Sequence, residues 1–183
     1  MRDRSDETLM KSYAGGSMEA FEELYERHRG PLYRYIFRQV GNATLANDLY
    51  QGSWEKIIKA RGRYKRSAPF KAWMYRIAHN HVMDHFRRER PTVDVQTEEM
   101  ADGQDGPVEL IVEEKRQQHL TAAIKSLPFE QKDTLMLKLE TGLDLQAIAD
   151  VTGVNRETAK SRLRYAVRKL RKVLGAYDLR QEE

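Results

Sequence analysis

Apolar residues along this chain recur at i, i+3 and i+4 almost from end to end, and nowhere do they alternate with polar ones long enough to suggest a strand. The pattern predicts an all-α protein. Asp6 is placed to cap a first short helix ending near Gly15-Gly16, and Ser17 to cap a second, with Glu19, Glu22 and Glu23 near its positive end. Phe21, Leu24, Tyr25, His28, Leu32, Tyr35, Ile36 and Val40 stripe that second helix. Gly30-Pro31 interrupts it, predicting a kink because proline removes a helical donor, and Gly41-Asn42 ends it. A third helix is expected from Thr44 to Arg61 and a long fourth from Phe70 to about Glu89.

The character changes between Pro91 and Val108. Prolines stand near both ends, Asp94, Glu98, Glu99, Asp102 and Asp105 lie between them, there is no Lys or Arg, and apolar residues are few. Such a stretch buries too little to offset its ordering entropy, so a flexible acidic linker is expected. Beyond it, helices are predicted over Glu109 to Ser126, Gln131 to Glu140 with a stripe through Leu135 and Leu139, Leu143 to Val151, and Asn155 to Leu174, with Pro128 opening the second of these. The expected organisation is therefore two small helical domains: residues 1–90, a linker at 91–108, residues 109–176, and a polar tail at 177–183.

With 40% hydrophobic residues the 183-residue chain can build real, if modest, cores. The absence of cysteine removes disulfides, thiolate nucleophiles and Cys-based zinc sites. The opening MRDRSDETLM lacks the apolar centre of a signal peptide, and no stretch approaches the roughly 18 apolar residues of a membrane span. A soluble cytoplasmic protein with no membrane insertion of its own is expected. The net charge of +4 says little, so the location of the charges has to carry the argument.

They are concentrated near the end. Residues 153–172 carry Arg156, Lys160, Arg162, Arg164, Arg168, Lys169, Arg171 and Lys172 against one acid, Glu157. At about 100° per residue, Ala159, Leu163, Ala166, Val167 and Leu170 share one arc, and Glu157, Lys160, Ser161, Arg164, Arg168 and Arg171 share the opposite one. Upstream, Leu145, Ile148, Ala149 and Val151 mark a short helix, followed by a turn at Gly153. A short helix, a glycine turn and a second helix with an outward basic face make a helix-turn-helix, whose second helix enters the major groove of DNA. Arg156, Glu157, Lys160, Ser161 and Arg164 are assigned to the groove, and Arg168 and Arg171 to phosphates.

A plain helix-turn-helix protein leaves residues 17–90 unexplained. Asp48, Leu49 and Gln51 match a D-L-x-Q segment, and Phe70, Trp73, Met74, Arg76, Ile77, Ala78, Asn80, Asp84, Arg87 and Arg88 match F-x-x-W-[LM]-x-R-I-A-x-N-x-x-x-D-x-x-R-R. Leu127, Pro128, Lys132, Ile148, Ala149 and Thr158-Ala159-Lys160-Ser161-Arg162-Leu163 match the second half of the same pattern. In these motifs and their order the chain resembles the extracytoplasmic-function (ECF) group of bacterial sigma factors, in the sigma-70 family. The resemblance implies a first domain that docks on a coiled coil of the RNA polymerase largest subunit and melts the minus-ten promoter element. It implies a second that reads the minus-thirty-five element as duplex. It assigns docking to Asp48, Leu49, Gln51 and Trp54, and minus-ten contacts to Arg63, Lys65, Trp73, Arg76, Asn80, Asp84, Arg87 and Arg88. It also implies an anti-sigma factor as partner.

The residues agree with that division. Arg76, Asn80, Met83 and Arg87 form a polar and basic stripe flanked by Trp73 and Asp84, opposite Phe70, Met74, Ile77, Ala78, His81 and His85, which suits a separated strand. Arg61, Arg63, Lys65 and Arg66 in the preceding loop suit an unstacked nucleotide. The chain departs from the family at Gly52-Ser53-Trp54, where a bent or loosened docking helix is expected, at Ala159, and at Tyr165-Ala166-Val167. The acidic linker suits either a solvated tether or a strand threading a basic polymerase channel.

Two other readings compete. His81, His85 and Asp84 could ligate a divalent metal and support phosphodiester hydrolysis, but the histidines share a side with Met74 and Ile77, which favours packing. The chain could also be a stand-alone helix-turn-helix regulator with a sensor domain. No catalytic residue, metal or cofactor is assigned.

Overall fold

The computed structural model describes residues 4–65, 67–89 and 108–181. Within these residues the regular structure is helical: α1 (Asp6–Ala14), α2 (Met18–Val40), α3 (Ala43–Lys59), a short 3-10 turn (Arg61–Arg63), α4 (Phe70–Arg88), α5 (Val108–Lys125), α6 (Phe129–Thr141), α7 (Leu145–Thr152) and α8 (Arg156–Gln181). Of the linker expected at 91–108, residues 91–107 lie outside the described residues, as does Arg66, and Val108 belongs to α5.

The caps explain most boundaries. Ser5, rather than Asp6, caps α1 by accepting the Thr8 N–H, which frees Asp6 to bind His28 and Arg27 of α2. Ser17 caps α2, Asn42 caps α3 and Asp144 caps α7 in the same way. Gly41, Gly142 and Gly153 close α2, α6 and α7 in the left-handed region. At Gly30-Pro31, where a kink is expected, α2 stays one helix and runs on to Val40 with Pro31 inside it. Leu32, Tyr35 and Ile36, all fully buried just beyond the proline, hold the helix to its neighbours. At the other end α8 continues past Leu174 to Gln181, because Gly175 alone costs only about 1 kcal/mol and no proline follows.

α1 to α4 pack around Leu9, Leu24, Leu32, Ile36, Phe70 and Met74, and α5 to α8 around Leu127, Leu135, Leu137, Ile148, Ala149 and Ala159. The two cores are not separate. α6 packs on α2 and α7 on α4, so the buried apolar residues form one continuous cluster. This alters two expectations. On α6, Asp133, Thr134, Met136 and Leu137 are buried along with Leu135, while Leu139 is 64% exposed, because the helix is covered by α8 on one side and α2 on another. On α4 the buried set is Phe70, Met74, Tyr75, Ala78, His79 and Val82, whereas His81 and His85 are only half-buried.

Candidate nucleic-acid interface

The helix-turn-helix is built by local chemistry. Asp144 Oδ1 accepts the Ala147 N–H at 2.8 Å to start α7, Gly153 takes φ 70° to end it, and the Val154 N–H returns to the Ala149 carbonyl at 3.1 Å. Asn155 Oδ1 then accepts the Thr158 N–H at 2.7 Å and starts α8. Ala149 and Ala159 have no exposed surface, so the two helices meet through methyl groups and approach closely.

That packing turns the charged arc of α8 outward. Arg156, Glu157, Lys160, Arg164, Arg168 and Arg171 are exposed and Ser161 is half-buried. Glu157 lies 3.5 Å from Arg156 and 3.8 Å from Lys160, which sets both cations at the leading end of the helix. Tyr165, 45% exposed, stacks under Arg164 at 5.4 Å and Arg168 at 5.7 Å, so one ring steadies two guanidiniums. The sequence marked Tyr165 only as a departure from arginine. An aromatic one residue after Arg164 and three before Arg168, the second a spacing that meets on a helix, was the available signal.

The second surface lies on α4 and the loop before it. Arg63 and Lys65 are exposed, Arg61 lies over the Tyr13 ring at 5.7 Å, and Tyr64 Oη donates to the Ala68 carbonyl at 2.8 Å. Tyr64, Phe70 and Trp73 form an aromatic cluster with ring centroids 5.3 to 6.0 Å apart, leaving Trp73 half-buried. Arg76, Asn80, Arg87 and Arg88 are exposed, with Asp84 3.4 Å from Arg87 and its carbonyl accepting from Arg88 Nε at 3.1 Å. Trp73 and Arg76 face Asp150, Val151 and Val154 of the helix-turn-helix across a cleft of about 460 Å³.

On α3, Asp48 and Gln51 are exposed together, but Leu49 and Trp54 are buried. Trp54 packs against Phe21, Tyr25 and Tyr50, so it shapes α3 from beneath rather than presenting a surface. Gly52 has a packing reason: a Cβ there would lie 2.5 Å from His81 Nε2, so the glycine admits α4. α3 is an unbroken helix from Ala43 to Lys59 at this point. His81 is held below the usual imidazole range by burial and by the nearby Lys56 and Arg88 charges, and His85 pairs with Glu89 at 3.2 Å. Among the described residues no three His, Asp or Glu side chains converge as a metal site would require.

Comparison with known proteins bears on both surfaces. Residues 24–92 match the family model "Sigma-70 region 2" and residues 123–172 match "Sigma-70, region 4". The chain is 30% identical over 170 residues to the ECF RNA polymerase sigma factor BldN of Streptomyces coelicolor, covering 91% of this chain and 64% of that protein's length. It is 28% identical over 176 residues to the RNA polymerase sigma factor CarQ of Myxococcus xanthus, covering 93% and 98%. The fold matches CnrH, solved with the cytosolic domain of CnrY, at TM-score 0.69 and 22% identity over 94% of this chain and 99% of that one. It also matches the sigma factor RpoE of Bartonella quintana, solved with the anti-sigma factor NepR, at TM-score 0.72 and 20% identity over 86% and 98%. With two sigma-70 regions in order and relatives of one kind, the chain belongs to the sigma-70 family, among the ECF sigma factors.

Proposed function

We propose that this bacterial transcription initiation factor binds core RNA polymerase and divides promoter recognition between its two surfaces. Residues 1–90 dock on the polymerase and hold the minus-ten element as a separated strand; residues 109–176 read the minus-thirty-five element as duplex. The observation that carries this reading is the outward basic face of α8, set on a capped helix-turn-helix and joined in one chain to a sigma-70 region 2. Lys160 and Arg164 project where a recognition helix meets base edges. Arg76 and Asn80, beside the Tyr64-Phe70-Trp73 cluster, supply donors and a stacking platform for unpaired bases.

Asp48 and Gln51 form the docking contact, with Leu49 and Trp54 packed beneath them. The protein works in the cytoplasm without catalysing a reaction, and an anti-sigma factor restrains it, as NepR is bound to RpoE. The docking assignment is tested by titrating labelled core polymerase: D48R and Q51A should weaken association while leaving duplex binding by the free chain unchanged. Equal association by both variants would remove α3 from the interface.

A further inference from the structure

The connection between α3 and α4, which carries Arg63 and Lys65, is held at both ends by α1. At its start Arg61 lies over the buried Tyr13 ring at 5.7 Å, and Arg61 Nη1 donates to the Ile58 carbonyl at 3.1 Å. At its finish the Phe70 N–H donates to Glu7 Oε1 at 3.1 Å. Between these anchors Tyr64 Oη donates to the Ala68 carbonyl at 2.8 Å, with the Tyr64 ring packed against Phe70 and Trp73. Arg63 and Lys65 are left exposed.

α1 is itself fixed. Leu9 and Met10 are fully buried, Arg27 Nη1 donates to Asp6 Oδ1 at 3.0 Å, and His28 Nε2 lies 2.7 Å from Asp6 Oδ2. Tyr13 packs on Phe21 of α2 with ring centroids 4.8 Å apart. Glu7 and Tyr13 therefore stand ~9 Å apart along a helix that cannot shift on α2, and the connection inherits that spacing. α4 has no acidic residue in its first turn, so the Glu7 carboxylate also supplies the negative charge that a helix start favours. A loop that chooses among unstacked bases has to be ordered beforehand, because freedom it keeps is lost on binding and lets a wrong base be accommodated. The charges of Arg63 and Lys65 attract any strand alike, so choice has to come from shape.

We propose that Glu7 and Tyr13 are positioning residues for base selection: through the Phe70 N–H and Arg61 they fix the α3–α4 connection in the shape that chooses the unstacked base, and Arg61 is their anchor rather than a phosphate contact. The inference rests on the minus-ten reading above for its consequence, though not for the anchoring itself. Glu7 and Tyr13 act from beneath, one bonded to an amide and the other buried under a guanidinium.

The test offers the full-length chain, bound to core polymerase, a pool of single-stranded DNA with a short randomised stretch, and sequences what is retained. The unaltered protein should enrich one base over the others at its most selective position. Y13L and E7A should lower that preference about tenfold, as one loop residue set free would, at unchanged affinity for core polymerase. Y13F and E7Q keep the ring and the acceptor and should retain it. Undiminished preference in Y13L and E7A, or equal loss in Y13F and E7Q, would overturn the proposal. R61A should lose preference without altering the salt dependence of strand binding; a slope reduced by about 0.7 in log K per log salt would make Arg61 a phosphate contact instead. A second arm needs no DNA. Because the chain has no cysteine, a nitroxide on K65C reports the connection alone, and its motion should quicken in Y13L and in E7A. Identical spectra would overturn the anchoring. If the unaltered protein enriched no base, the minus-ten reading would fall and base selection with it, while the nitroxide still decided the anchoring.

Discussion

Glu7 Oε1 accepts the backbone N–H of Phe70 at 3.1 Å, so α1 supplies the cap that α4 lacks. Pro69 precedes α4 and offers no side chain for that purpose, which leaves the helix bearing Trp73, Arg76 and Asn80 dependent on a residue from far upstream. Glu7→Ala should cost about 1 kcal/mol, read as a lower denaturant midpoint at unchanged slope. A midpoint equal to wild type would mean that water serves the Phe70 N–H equally well.

The same contact carries a pH signature. The Phe70 N–H, and then the chain's own backbone at Glu7, hold the Glu7 carboxyl below the usual glutamate range, and a hydrogen bond from His28 does the same for Asp6. Folded values below the unfolded ones mean that the stabilisation is present above the ordinary carboxylate range and is lost as pH falls through the lowered values. Thermal melts should therefore show Glu7→Gln and Asp6→Asn weakest relative to wild type near neutrality and converging on it below about pH 4. A deficit that persisted undiminished at pH 3 would contradict the assignment.

Gly52 and His81 should show a reversal of sign. Alanine favours a helix over glycine by about 1 kcal/mol, yet a Cβ at position 52 meets the His81 ring at 2.5 Å. Gly52→Ala should destabilise the wild-type chain by about 1 to 3 kcal/mol and stabilise a His81→Ala chain. A double-mutant cycle by urea unfolding measures this, and a stabilising effect in both backgrounds would show that the ring swings aside freely.

The two nucleic-acid surfaces should separate by assay. Lys160→Ala and Arg164→Ala should each lose about 1 to 3 kcal/mol of affinity for the upstream duplex. Arg168→Ala should lower the steepness of salt dependence by about 0.9 in log K per log salt, as one phosphate contact does. Arg76→Ala and Asn80→Ala should bind that duplex normally but reduce permanganate reactivity of the opened strand. If each pair impaired both steps alike, the division of labour would be wrong.

Much of this was legible in the chain. Asn155, Gly153 and the two arcs of α8 announced the helix-turn-helix because caps, turns and helical faces are set by residues a few positions apart. What escaped was long-range. Asp133 drew no reading from the sequence, because its partners Tyr35 and Gln39 are 98 and 94 residues away. Once α7 and α2 cover the neighbouring surfaces, the packed side of α4 turns toward His79 and Tyr75 rather than His81 and His85. Trp54 was assigned to the docking surface from its place just after the D-L-x-Q segment, while its ring completes an aromatic core.

Run-off transcription tests the central claim most directly. Purified chain added to core polymerase, on a pool of templates from its own genome and without any inhibitor, should produce discrete transcripts that core polymerase alone does not make. Those transcripts should be lost with either Lys160→Ala or Arg76→Ala. Absence of any transcript above core polymerase alone, or transcripts indifferent to both substitutions, would contradict the account.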